Sequence, residues 1–218
     1  MLHATNITKT YPGAERPAVH NVNLDIHSGE FVSILGRSGS GKSTLLNIFS
    51  SLVLPDSGKV MYDGLDICSC SEKERNRLRG TEFAVIFQQH HLMPYLTALE
   101  NVLLPFMSGI RPVSTKDRKN AQHMLERVGL AGKENSRPGS LSGGEQQRVA
   151  IARALTKGAR VLYADEPTGS LDFETGSSIM ELLLSLNRDG MTVVMVTHNP
   201  EYARQAHTSI TMVDGCIC

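Results

Sequence analysis

Charge of one sign is not in excess in this chain. Lys plus Arg is 22 and Asp plus Glu is 22, so the formal net charge is zero. That excludes a global basic field drawing the chain onto nucleic acid or an anionic membrane, and any phosphate binding must come from a local site. Met1 to Gly13 lacks the long apolar stretch of an export signal. No window approaches the ~18 apolar residues of a membrane span, so attachment to a membrane is expected only through a partner. Cysteines number four, as Cys68/Cys70 and Cys216/Cys218. Without an export signal, reduced thiols are expected. Their single intervening residue is also shorter than usual zinc-ligand spacing. Internal repeats, low-complexity tracts and heptad runs are absent. What is present is ordinary globular composition, 40% hydrophobic and 20% charged over 218 residues. That suits one large domain, or one with an inserted sub-domain.

The apolar pattern alternates strand with helix, which favours a largely parallel sheet. Phe31–Leu35 is a short apolar run entering Gly36-Arg37-Ser38-Gly39-Ser40-Gly41, and a helix is expected from Lys42 to about Val53. Lys59–Tyr62 reads as a strand closing on the Asp63-Gly64 turn. Glu72–Arg79 reads as an exposed helix and Phe83–Phe87 as a buried strand. From Gln88 to Gly158 the pattern gives helices and loops and no strand. Thr97-x-x-Glu100 and Ser142-x-x-Glu145 have the form of capping boxes, and Ser114 and Gly129 bracket a further helix. Strand character returns at Arg160–Ala164, Met191–Thr197 and His207–Val213, the last strand expected. A helix runs over Asp172–Asp189 and a short one starts at Asn199-Pro200.

Gly36 to Ser43 matches the phosphate-loop pattern G-x-x-x-x-G-K-[ST], with a strand before it and a helix after it. The glycines let successive N–H groups face one anion, and the helix adds its positive end. Lys42 is placed for the β- and γ-phosphates and the Ser43 hydroxyl for Mg²⁺. The apolar strand Val161–Ala164 ends in Asp165 and Glu166. Asp165 is the expected Mg²⁺ carboxylate, while Glu166, one residue on, points differently and can polarise an attacking water. Leu141-Ser142-Gly143-Gly144-Glu145-Gln146-Gln147 opens a helix with small residues and a cap, a second anion-binding terminus. One small domain rarely needs two cradles for one triphosphate, so this one is expected to serve the nucleotide of a second copy.

In that order, these motifs resemble the ATP-binding subunits of ABC transporters over essentially the full length. Gly36, Arg37, Ser38, Gly39, Ser40, Gly41, Lys42, Ser43 and Thr44 are similar to their Walker A. Ser142, Gly143, Gly144 and Glu145 are similar to their signature, acting in trans. The resemblance implies that Gln88, with Gln89 beside it, is the Q-loop glutamine and joins Ser43 and Asp165 at Mg²⁺. It implies that His198 is the switch histidine, and that Asp172 lies in the D-loop across the dimer interface besides serving as a helix N-cap. Tyr11, by itself a core or edge aromatic, becomes a platform for adenine. The implied fold is an α/β P-loop NTPase core of the ABC ATPase type, residues 1–87 and 159–218, with an inserted all-helical sub-domain at 88–158 that carries the signature. The implied activity is hydrolysis of ATP by a head-to-tail dimer, with Glu166, His198, Lys42 and Gln88 as the catalytic set.

The implied partners are a second copy and an integral membrane permease-type subunit at the cytoplasmic face of the plasma membrane, with no nucleic acid. His90–Tyr95 is expected to meet that permease. Tyr163 to Asp172 resembles subunits of lipoprotein-release, macrolide-export and cell-division systems. An importer ATPase, or a soluble ABC ATPase of DNA repair or translation, is the alternative. The soluble class commonly carries coiled-coil insertions or two ATPase domains, which this chain lacks.

Overall fold

The computed structural model describes residues 1–107 and 112–218; residues 108–111, inside the expected helical stretch, lie outside the described residues. In chain order the strands and helices are β1 Leu2–Lys9, β2 Val19–Ile26, β3 Phe31–Leu35, α1 Lys42–Phe49, β4 Ser57–Tyr62, β5 Leu65–Asp66, α2 Glu72–Thr81 and β6 Phe83–Ile86. Then come α3 Ala98–Leu103, α4 Thr115–Arg127, α5 Gly143–Leu155, β7 Val161–Asp165, α6 Phe173–Arg188, β8 Thr192–Thr197, α7 Pro200–Ala203, β9 Thr208–Val213 and β10 Cys216–Ile217.

The central sheet has six strands in the order β10-β9-β3-β8-β7-β6. Its pairings are parallel except β10 on β9. The inner strands β3, β7 and β8 are largely apolar on both faces, as both faces are covered. Val161 and Tyr163 of β7 join a core with Leu45, Leu46 and Phe49 of α1. Leu162 and Ala164 of the same strand join the opposite core, with residues of α3, α4, α5 and α6. That alternation is the period of two of a strand, with a hydrophobic layer against each side.

A second sheet departs from the largely parallel expectation. It is antiparallel, in the order β2-β1-β4-β5, and lays Leu2, Ala4, Ile7, Val19, Val22 and Val60 on the α1 core. Its signal in the sequence is broken because register shifts interrupt the β1–β2 pairing between Ala4 and Ile7 and again before Lys9. Asn6 and Asn21 take positive φ there, 52° and 48°. Each bulge moves the following side chains to the other face and destroys strict alternation.

Two ends also differ from expectation. Helix α1 stops at Phe49 rather than near Val53, because Ser50 caps it and Ser51 turns at φ 62°. The chain does not finish its pairing at Val213: Asp214-Gly215 turns it back as β10. Between β6 and β7 the described residues form α3, α4, α5 and short 3-10 turns, each α-helix opening on a complete capping box. Such caps satisfy the free N–H groups of the first turn and contribute about 1 kcal/mol each.

Candidate functional site

The phosphate loop follows β3 and begins where the Gly36 N–H donates to the Thr197 carbonyl at the end of β8. It closes at Gly41, the N-cap of α1, with φ 98°. A Cβ at Gly41 would overlap the Ala18 carbonyl, and one at Gly36 would strike the Met212 carbonyl and the Ser40 hydroxyl. Backbone presses on the loop from outside at both glycines, so a side chain at either would unseat it.

Lys42, only 5% exposed, folds back inside the loop. Its ammonium donates to the carbonyls of Gly36 and Arg37 at 2.8 and 2.9 Å and lies 3.9 Å from a Glu166 oxygen. The next residue, Ser43, donates its hydroxyl to Asp165 Oδ1 at 2.9 Å. Burial, above all, pushes the Asp165 carboxyl up, and the charge of Glu166 adds to this. The Ser43 hydrogen bond and the Lys42 charge pull it back. A half-buried carboxylate beside a hydroxyl is a pair of hard oxygen donors, the chemistry Mg²⁺ takes.

Glu166 carries the main backbone strain of the site. Its φ is 48°, a conformation costing a non-glycine residue about 1–3 kcal/mol. Hydrogen bonds hold it: its N–H donates to Val196 O and its carbonyl accepts from Gly169 N–H, both at 3.0 Å. The strain turns the side chain back toward the loop, where Oε2 meets His198 Nδ1 at 2.6 Å. Glu166, His198, Asp165, Lys42, Ser43 and Gln88 thus line one cavity of about 540 Å³. Gln89 is not in that lining; it borders a neighbouring hollow with Gln88, His90 and Ser170. Gln88 is confined: a Cβ on Gly169 would lie 3.0 Å from its amide nitrogen.

Other expected residues stand apart from that cavity. Ser142, Gly143, Gly144 and Glu145 line no part of it. Ser142 and Glu145 cap α5 reciprocally: Ser142 Oγ accepts from Glu145 N–H at 3.2 Å, and Glu145 Oε2 accepts from Ser142 N–H at 2.8 Å. Asp172 caps α6 by accepting from Thr175 N–H at 2.9 Å. Tyr11, 41% exposed, sits in the turn after β1, away from the cavity lining.

Sequence reasoning missed Ala18, whose backbone closes over Gly41, and gave no role of its own to Gln147, the end of the Leu141–Gln147 stretch, whose amide reaches Pro167 behind Glu166 at 3.0 Å. Neither carries a local signal, since each acts through a contact distant in sequence. Among the described residues no group of three or more His, Cys, Asp or Glu side chains converges as a metal site, and all four cysteines are free thiols.

The sequence profile of ABC transporters matches residues 19–169. An uncharacterised ABC transporter ATP-binding protein of Methanocaldococcus jannaschii is 48% identical over 99% of this chain and 96% of its own length. The lipoprotein-releasing system ATP-binding protein of Aquifex aeolicus is 44% identical, over 99% and 95%. A macrolide export ATP-binding/permease protein of Paracoccus denitrificans is 43% identical over the whole of this chain, which spans 33% of that protein. A solved ATP-binding cassette, a dimer in a post-hydrolysis state with ADP and Pi, superposes with TM-score 0.89 at 45% identity, covering 100% of this chain and 96% of its own.

Proposed function

The chain belongs to the ABC transporter family as an ATP-binding subunit, and from that premise we propose that it hydrolyses ATP in two composite sites formed by two copies placed head to tail. One observation carries this reading. Lys42, Ser43, Gln88, Asp165, Glu166 and His198 line a single cavity, whereas the capped terminus at Ser142 lines none of it. The positive end of a helix and its remaining N–H groups attract phosphate, and a second copy supplies one.

In this reading the N–H groups of Gly36 to Thr44 receive the phosphates. Lys42 exchanges the Gly36 and Arg37 carbonyls for β- and γ-phosphate oxygens. Ser43, Asp165 and Gln88 would hold Mg²⁺, which neutralises phosphate charge when bound. Glu166 accepts a proton from the attacking water. His198, already on Glu166 Oε2, fixes that carboxylate and reaches the γ-phosphate. Tyr11, exposed after β1, stacks on adenine.

Arginine at Ser142 is the direct test. Ser142→Arg places a long cation where the partner's γ-phosphate would sit, while the variant's own phosphate loop is untouched. ATP binding should persist and hydrolysis by the homodimer should fall at least tenfold. Parental turnover from that homodimer would refute the action in trans.

No helix among the described residues is long and apolar enough to cross a membrane; in the proposed reading force reaches the bilayer through a permease at its cytoplasmic face. The relatives support an export or lipoprotein-release system, and a mechanotransmission role is proposed beside it. The expected docking segment, His90–Tyr95, is mounted rigidly. Arg153 of α5 donates to the His91 and His90 carbonyls at 2.7 and 2.9 Å. The buried Asn101 amide donates to the carbonyls of Met93, Leu96 and Thr97. Leu92 packs on the helical core and is therefore a structural residue, but Tyr95 is 88% exposed. Tyr95→Glu should leave the ATPase activity of the free subunit within a few-fold and weaken capture of the permease, because a charge buried without a partner penalises docking. Normal capture and normal stimulation by the permease would remove this segment from the interface.

A further inference from the structure

Gln147 is wholly buried, and its Oε1 has no hydrogen-bond partner. Such an acceptor costs stability, so its retention calls for a reason on the other end of the amide. There, Nε2 donates to the Pro167 carbonyl at 3.0 Å. Pro167 directly follows Glu166, inside the turn that holds Glu166 at φ 48°. The strained backbone of that carboxylate is therefore tied at three points, to β8 through its own N–H, to Gly169 through its own carbonyl, and to α5 through Gln147.

Helix α5 is bolted to the same segment along one face. Gly143 packs against Leu171, where a Cβ would lie 3.3 Å from the Leu171 side chain, and a Cβ on Gly144 would overlap the Thr175 methyl. Arg148 donates to Ser178 Oγ at 2.5 Å. Positions 143, 144, 147 and 148 share one face of a helix. Through these contacts the helix start and residues 167–178 form one block with no space for independent sliding.

We propose that Gln147 is a positioning residue that makes hydrolysis at one ATP site depend on occupancy of the other. The inference rests on the composite-site reading above. In that reading Ser142 touches the partner's nucleotide, while Glu166 of the same chain acts on its own. Gln147 lies five residues along α5 from Ser142 and one hydrogen bond from the peptide after Glu166. A nucleotide seated on the α5 terminus sets the helix, and the helix sets the carboxylate.

The experiment uses the intact subunit with ATP and Mg²⁺. Gln147→Met keeps the length of the side chain and removes both polar atoms. Its kcat should fall roughly 10- to 100-fold, the scale of a small misplacement of a catalytic group. KM should stay within about twofold, and the sigmoidal dependence of rate on ATP concentration that this coupling requires of the parent should be lost in the variant. Gln147→Glu gives a second readout. Ionised, the new carboxylate repels the Pro167 carbonyl; protonated, it donates to it. Burial raises its pKa, so the activity of Gln147→Glu relative to the parent should recover as pH falls from 8 to 6. The same substitutions in a Glu166→Gln background should still give the ATP-held dimer.

Two folded variants with parental kcat and parental cooperativity overturn this role for Gln147. So does a loss of activity in Gln147→Glu that no lowering of pH relieves. Failure of Glu166→Gln alone to dimerise with ATP overturns the composite-site reading, and this inference with it.

Discussion

Glu166→Gln is expected to keep nucleotide binding while hydrolysis slows by roughly 10²–10⁴-fold, the usual contribution of a general base. The contacts that hold this side chain are compatible with an amide. His198 Nδ1 lies 2.6 Å from Oε2, and the Lys42 ammonium, 3.9 Å from Oε1, makes no hydrogen bond that the amide would lose. In the proposed site the phosphate contacts do not involve Glu166, so affinity for ATP should hold. With the chemical step slowed, the nucleotide-bound dimer should accumulate and elute as a species of twice the mass on a sizing column run with ATP and Mg²⁺. A rate within tenfold of the parent would assign the base elsewhere. Binding of ATP by a species that stays monomeric would count against composite sites.

Removing the ammonium is the other severe change. Lys42→Ala should abolish measurable turnover and weaken ATP binding about 10- to 100-fold, the equivalent of a charged hydrogen bond of about 1.5–3 kcal/mol. The loss is electrostatic twice over. In the proposed site Lys42 meets the phosphates, and its charge is also one of the influences lowering the Asp165 carboxyl against burial and the neighbouring Glu166. Without it Asp165 should hold its proton more readily and bind Mg²⁺ less well at a given pH. Titration with an ATP analogue at successively lower pH tests this: the affinity deficit should grow as the pH falls. Turnover at the parental rate would remove Lys42 from the phosphate site.

Much of the site is local in sequence and was legible for that reason. The phosphate loop, its flanking strand and helix, and the acids closing β7 each occupy one continuous stretch. The caps at Thr97 and Ser142 are four-residue patterns, and both form as read. What the sequence hid is long-range or irregular. The antiparallel sheet was obscured because its strands change face at Asn6 and Asn21. The seat of Gly41 against Ala18 joins residues 23 positions apart with no side chain involved. Gln147 resembles any polar residue on an amphipathic helix until Pro167 appears beside it. The positive φ of Glu166 belongs to the turn and to β8, and no residue type announces it.

The helices between β6 and β7 have consequences for how the molecule comes apart. Leu99, Val102, Leu125 and Val149 share one continuous core with Phe31, Leu162, Val193 and Leu183 from the strands and α6. Those helices own no separate hydrophobic interior. Cut out as a peptide, they would expose the face now laid on the sheet, and helices of 6 to 13 residues are marginal alone in water. Melting should therefore be a single cooperative event in which the helical lobe and the sheet lose protection against hydrogen exchange together. Any swing of that lobe during the ATP cycle also has to carry its share of the common core with it, so the motion is a small shear across packed side chains and not a free hinge.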